Sequence, residues 1–183
     1  MAGGWGRVAR RIRVPLGFVF AVLYLVLARP TVASMLWSLL LVGPGLGLRA
    51  YASGYVQKNA ELTTTGPYGY TRNPLYLGSM LLAFGFAAAS RSLVTVAVLA
   101  VLFAVIYVPT IRSEEEYLRG RFAGFDEYVR RVPRLLPRLT RGSVPGGAGA
   151  FDAALYGKHR EYNSLMGAAA IYAALALRLY FYR

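Results

Sequence analysis

The chain has 183 residues, 56% of them hydrophobic, with 21 lysines and arginines against 8 acidic residues and no cysteine. That apolar share exceeds the roughly 45–50% of soluble domains and is gathered into long runs, so the chain reads as an integral membrane protein. Missing cysteine excludes a disulfide framework, a thiol nucleophile and thiolate metal sites, while a formal charge of +13 carried by arginines flanking apolar runs points to membrane topology and anionic headgroups rather than nucleic acid.

Residues 1–13 form a basic arm with Arg7, Arg10, Arg11 and Arg13. No small-residue cleavage site follows, so an uncleaved first span is expected over about 14–28. It is short of the roughly 20 residues a span needs, and Ile12 and Arg13 would extend it by snorkelling. Arg29-Pro30 makes a tight turn before a second span over 31–51, interrupted by GPGLG at 43–47. Proline frees a backbone carbonyl there, and glycines let a neighbouring helix approach closely. A kink or close crossing is expected, with a substrate portal as the alternative.

The polar segment GYVQKNAELTTT (54–65) ends in β-branched threonines that suggest an extended approach to GPYGYTRNPLYLG (66–78). Gly66-Pro67 is turn chemistry. Asn73-Pro74 reads as a helix start, asparagine at the N-cap and proline in the first turn. The free N–H groups of such a helix end favour a carboxylate or phosphate. Many transmembrane helices also begin this way with no ligand, and what sets this one apart is the density of Tyr68, Tyr70, Arg72 and Tyr76.

A third span is expected over 74–89. Ser90-Arg91-Ser92 connects it to a fourth that runs from Leu93 past Tyr107, with Pro109 as a kink and helix continuing into water through 111–119. The stretch 112–141 is amphipathic and basic, and 141–151 (RGSVPGGAGAF) has the composition of a flexible linker. Lys158, His159 and Arg160 precede a last span over 165–180, with His159 as an interfacial anchor. The organisation is a single membrane domain: spans one and two in 1–59, a core in 60–139, a linker in 140–151 and the last span in 152–183. The fold class is all-α, with about five transmembrane helices.

The arginine and lysine bias puts the N-terminus in the cytoplasm and the C-terminus outside, with both polar segments on the cytoplasmic face of an inner membrane. Spans three and four share a three-residue turn, so they pack antiparallel. The start of one therefore lies beside the end of the other, and residues 68–76 come next to Arg112 and Glu114, Glu115 and Glu116. Together these offer a helix N-terminus for an anion, tyrosine faces for a cation or base, and carboxylates for hydroxyl or amino groups. By charge pattern alone, the three glutamates read first as a solvated face pairing with Arg112, Arg119 and Arg121.

GPYGYTRNPLYLG, an apolar hairpin, RSEEEYL and EYVRRVPRLLP, in that order, resemble the isoprenylcysteine carboxyl methyltransferase family, whose C-terminal half the phospholipid N-methyltransferases share. The resemblance covers about 60–139. It implies an S-adenosylmethionine-dependent membrane methyltransferase acting on a lipophilic small molecule or lipid, with its cofactor on the cytosolic side. It further implies cofactor contacts at Ala60, Glu61, Leu62, Thr63, Tyr68, Asn73, Pro74, Leu75, Tyr76 and Glu114. Arg134 and Leu135 belong to a segment that would close over the adenine, and Arg112 is the match to the arginine associated with the acceptor. No metal site is implied.

Two departures stand out. Asn73 replaces the histidine of the family's RHP motif, and asparagine can donate and cap but cannot titrate. A linker and fifth span follow the VP motif, where they would wall an acceptor tunnel or make a homodimer contact. The competing readings are an NADPH-dependent reductase of the sterol reductase type, whose C-terminal pattern is similar, and a non-enzymatic membrane scaffold.

Overall fold

The computed structural model describes residues 4–57, 60–142 and 149–181, and side chains from Pro15 onward. Among these residues the chain is helical without strands. The elements are α1 (Gly4–Leu27), α2 (Val32–Ser53), a 3-10 turn (Gly66–Gly69), α3 (Pro74–Ser90), α4 (Leu93–Leu102), a π-helical turn (Phe103–Tyr107), α5 (Val108–Arg121), α6 (Phe125–Arg131), α7 (Ala153–Lys158) and α8 (Tyr162–Phe181). Three helical stretches are long and apolar enough to cross a membrane: Val32–Ser53, Leu93–Arg121 and Tyr162–Phe181. Pro15–Leu27 and Pro74–Ser90 are shorter apolar helices beside them. Phe18, Trp37, Leu93 and Leu165 are all more than half exposed. An outward face of large apolar side chains suits lipid rather than water.

Helix α1 starts earlier than expected. Its backbone is already helical at Gly4, so the arm at 1–13 is mostly the first turns of the helix, as the good helix propensity of arginine allows. The glycine-rich linker over 141–151 falls, at 143–148, outside the described residues. Helix α7 was not anticipated.

The expected hairpin is present. Ser92 caps α4 by accepting from the Thr95 N–H at 3.3 Å, and Arg91 closes the turn in a left-handed conformation (φ 55). Helices α4 and α5, joined by the π turn, form one continuous rod of 29 residues, about 43 Å at 1.5 Å per residue. Pro109 neither ends nor visibly breaks it. The ladder is already shifted just before the proline, where the Val108 N–H bonds five residues back to the Phe103 carbonyl, a π turn that accommodates disrupted pairing.

One end of the bundle collects the turn at 28–31, the turn at 90–92 and the C-terminal part of α8. The Arg29 N–H donates to the Ser90 carbonyl (2.8 Å), and Arg178 Nε donates to the Ala28 carbonyl (2.5 Å). The shared core contains Tyr24, Val42, Phe86, Ala168 and Leu175, with the Tyr24 hydroxyl donating to the Phe86 carbonyl (2.9 Å). The opposite end holds the end of α2, the start of α3, the end of α5 and the start of α8.

GPGLG resolves into a close crossing of α2 on α3. A Cβ on Gly45 would sit 3.0 Å from both the Gly78 carbonyl and the Leu82 nitrogen, whereas Gly43 and Gly47 face open space. Gly45→Val is expected to push the helices apart and to cost about 1–3 kcal/mol by overpacking. Gly43→Val, on the open side of the same helix, is the matched control. Thermal unfolding of the two purified variants should separate them by several degrees.

Candidate functional site

Between the helix ends opens a cavity of about 370 Å³, within the size range of small-molecule sites. Its floor is the 66–78 stretch, its far wall is α5, and a small core of Phe125, Tyr128 and Val132 with Leu62, Leu118 and Val129 supports it from outside the bundle. Gly66, at φ +56, starts the 3-10 turn, and a side chain there would collide with the Tyr55 ring at 2.6 Å.

The wall is anchored through Glu115. Its carboxylate, 7% exposed, accepts from Arg72 Nε (3.0 Å), Arg134 Nε (2.8 Å) and Asn73 Nδ2 (3.2 Å). Arg72 goes on to donate to the carbonyls of Val129 (3.2 Å) and Val132 (2.6 Å). Backbone bonds close the same seam, Arg72 N–H to the Pro133 carbonyl (2.9 Å) and Arg138 N–H to the Tyr70 carbonyl (3.1 Å). The Thr71 hydroxyl adds the Arg134 and Leu135 carbonyls at 3.2 and 3.0 Å. The 66–78 stretch and the VPRLLP segment are thereby tied into one unit.

Two sequence expectations are corrected here. The glutamates are not a uniform solvated face, since Glu115 is buried and pairs with Arg72 and Arg134 rather than with Arg112, Arg119 or Arg121; Arg119 bonds Asp126 at 2.8 Å. Asn73 occupies the N-cap position, but its side chain makes no cap bond and donates instead to Glu115 and to the Arg134 carbonyl (2.9 Å). Donation from Nδ2 to the buried carboxylate is charge-assisted and fixes the amide's orientation. The first turn of α3 is left without a side-chain cap where Pro74, Leu75 and Tyr76 line the cavity.

Of the residues singled out in the sequence, Glu61, Leu62, Thr63, Tyr68, Asn73, Pro74, Leu75, Tyr76 and Glu114 all line this cavity. Ala60 is exposed outside the wall, and Arg112 is exposed on α5 and is not among the lining residues. Arg134 and Leu135 stand behind the wall, one holding Glu115 and both lending carbonyls. Arg72, also singled out, lines it too, and Val56, Gln57, Tyr117, Leu118 and Tyr128, which sequence reasoning passed over, complete the lining. The signal for Tyr117 and Tyr128 was no more than one tyrosine in each of the EYLR and DEYVRR stretches.

Tyr68 is 7% exposed and lines the cavity. Burial, then the carboxylates of Glu161 and Glu114, push its phenol well above the ordinary value against a smaller pull from Arg49. It is therefore a neutral donor at physiological pH. On a side chain that lines the cavity, this phenol offers a donor to a ligand acceptor. Across the cavity the Tyr76 hydroxyl donates to Glu114 Oε1 at 2.8 Å. Tyr128, whose phenol burial likewise raises, donates to the Tyr68 carbonyl at 2.7 Å and holds the 3-10 turn in place.

Residues 16–124, more than half the chain, match the profile described as phospholipid methyltransferase. The chain belongs to that family. Among curated proteins it is similar to the nickel-cobalt-cadmium resistance protein NccN of Alcaligenes xylosoxydans (43% identical over 90 residues). It is also similar to the cobalt-zinc-cadmium resistance protein CzcN of Cupriavidus metallidurans (44% over 90 residues). Each match covers 49% of this chain and 41% of the relative, so the chain spans about four-tenths of the length of these relatives. No solved structure matches it. As a phospholipid methyltransferase family member, the chain has its cavity walls on both sides of the matched boundary, with Glu61 to Glu114 inside it and Tyr128 beyond. Among the described residues no group of three or more His, Cys, Asp or Glu side chains is placed to hold a metal ion.

Proposed function

We propose that the protein is an S-adenosylmethionine-dependent membrane methyltransferase that methylates an oxygen or nitrogen of a lipophilic small molecule or lipid, with its site on the cytoplasmic face. The single observation that carries this reading is one cavity lined together by Tyr68, the start of α3 without a side-chain cap, and Glu114. The donor set fits the cofactor's parts. N–H groups at the start of α3 suit a carboxylate, Glu61 and Glu114 suit amino or hydroxyl groups, and the faces of Tyr76 and Tyr117 suit a sulfonium. Leu62, Leu118 and Tyr128 give an apolar wall for a purine.

Bound there, the cofactor would supply an electrophilic methyl group to the acceptor's lone pair, and the electrons of the broken carbon–sulfur bond would stay on sulfur. The protein's own part is alignment and exclusion of water. The hub at Glu115 fixes the cavity's geometry, Tyr68 donates from one side, and the Tyr76–Glu114 bond fixes a carboxylate on the other. An acceptor that is already ionised needs no base, which suits a site where Asn73 stands in place of a titrating histidine. Arg112, exposed on α5, is available to an acceptor that arrives from the headgroup region.

The test is transfer of labelled methyl groups from S-adenosylmethionine to a total membrane extract by the purified protein, followed by identification of the labelled species. A labelled lipid-phase product supports the reading. Absence of transfer alongside NADPH-dependent reduction of a lipid would replace it with the reductase.

A further inference from the structure

A second charged pair is set between the helices, outside the cavity wall. Arg49 of α2 reaches Glu161, just ahead of α8, through Nε to Oε2 at 3.1 Å and through the second terminal nitrogen to both oxygens at 2.9 Å. Its Nε also donates to Ser164 Oγ (3.1 Å), and its remaining nitrogen donates to Ser79 Oγ (2.5 Å) and the Leu75 carbonyl (3.4 Å). All three guanidinium nitrogens are engaged. Gly78 makes room for the crossing, since a Cβ there would fall 2.6 Å from Arg49 Cγ. The two side chains are 21% and 11% exposed, and ionisable groups so placed among membrane helices mark function more often than packing.

What the guanidinium holds on α3 is telling. Leu75 and Ser79 lie in its first two turns, the part whose start lines the cavity. Glu161 lies beyond residues 16–124, so the clamp comes from a segment outside the family match. We propose that Glu161 is a positioning residue: by fixing Arg49 it fixes the first turns of α3, and so sets how tightly the cavity holds the anionic group of its ligand. This deepens the methyltransferase reading and rests on it for the identity of that ligand. A carboxylate that grips a guanidinium through both oxygens fixes its plane as well as its charge. With an amide in its place, Arg49 keeps its charge and loses its orientation.

The experiment compares Glu161→Gln with the exchanged pair Arg49→Glu/Glu161→Arg, using the full chain in detergent. Four quantities are read: unfolding temperature, hydrogen–deuterium exchange of residues 74–82, affinity for S-adenosylhomocysteine, and kcat for labelled methyl transfer to membrane extract at saturating S-adenosylmethionine. Glu161→Gln should exchange over 74–82 at least fivefold faster and bind about tenfold more weakly, with kcat at saturating cofactor within twofold of the parent. The exchanged pair should recover the unfolding temperature by rejoining α2 to α8. Its exchange should stay fast and its binding weak, because a carboxylate at position 49 cannot donate to the Leu75 carbonyl. Unchanged exchange over 74–82 in Glu161→Gln would overturn the proposal, as would recovery of exchange, affinity and unfolding temperature together in the exchanged pair. Should the parent protein bind no S-adenosylhomocysteine, the cofactor reading falls, and the exchange measurements still decide what Glu161 does.

Discussion

Glu115→Gln is expected to be the most destabilising single substitution at the site, by about 3–5 kcal/mol, because it leaves the Arg72 guanidinium buried without its counter-ion. Arg72 and Glu115 are each only 7% exposed, so water cannot replace the lost partner. The damage should spread along named bonds. Arg72 holds the Val129 and Val132 carbonyls, so α6 should loosen, and with it Tyr128, which supports the 3-10 turn under Tyr68. Glu116→Gln, one position along and exposed, should change stability by no more than about 0.5 kcal/mol. Denaturant unfolding of both variants, read by helical signal and by tyrosine fluorescence, checks the contrast.

The second large effect falls on turnover rather than stability. Glu114→Ala removes a cavity carboxylate that is bonded only lightly to the fold, through the Tyr76 hydroxyl. It should lower methyl transfer at limiting cofactor by about 10- to 100-fold, the range for a charge-assisted hydrogen bond to a ligand. Tyr68→Phe deletes one hydroxyl without changing the ring that packs in the wall, and about tenfold is expected. Both variants should unfold within a few degrees of the parent. A loss of activity that tracked a loss of stability would instead mean that these groups hold the fold.

The spans and their hairpin could be read from the chain because long apolar runs and a three-residue turn at 90–92 admit few arrangements. The same turn is why the nearness of 66–78 to 114–116 was legible. Which glutamate is buried was not legible. The π turn at Phe103–Tyr107 takes one extra residue, which rotates everything after it by about 100°, and no local pattern announces it. The role of Asn73 was hidden for another reason: cap preference is a local rule, and here the side chain donates to a buried carboxylate from α5. The seam between 70–72 and 133–138 is built largely on backbone carbonyls, which leave no trace in side-chain identity. Arg49 and Glu161 meet across 112 positions, beyond the reach of any periodicity.

On the proposed function, the cavity at the end of the hairpin holds an adenosyl sulfonium and its demethylated product. Calorimetric titration of the purified protein with S-adenosylhomocysteine tests it most directly, with NADPH titrated in parallel. Saturable, one-site binding of S-adenosylhomocysteine with a micromolar Kd, and none of NADPH, is the expected result. Binding of NADPH alone, or of neither ligand by protein that is demonstrably folded, would contradict it.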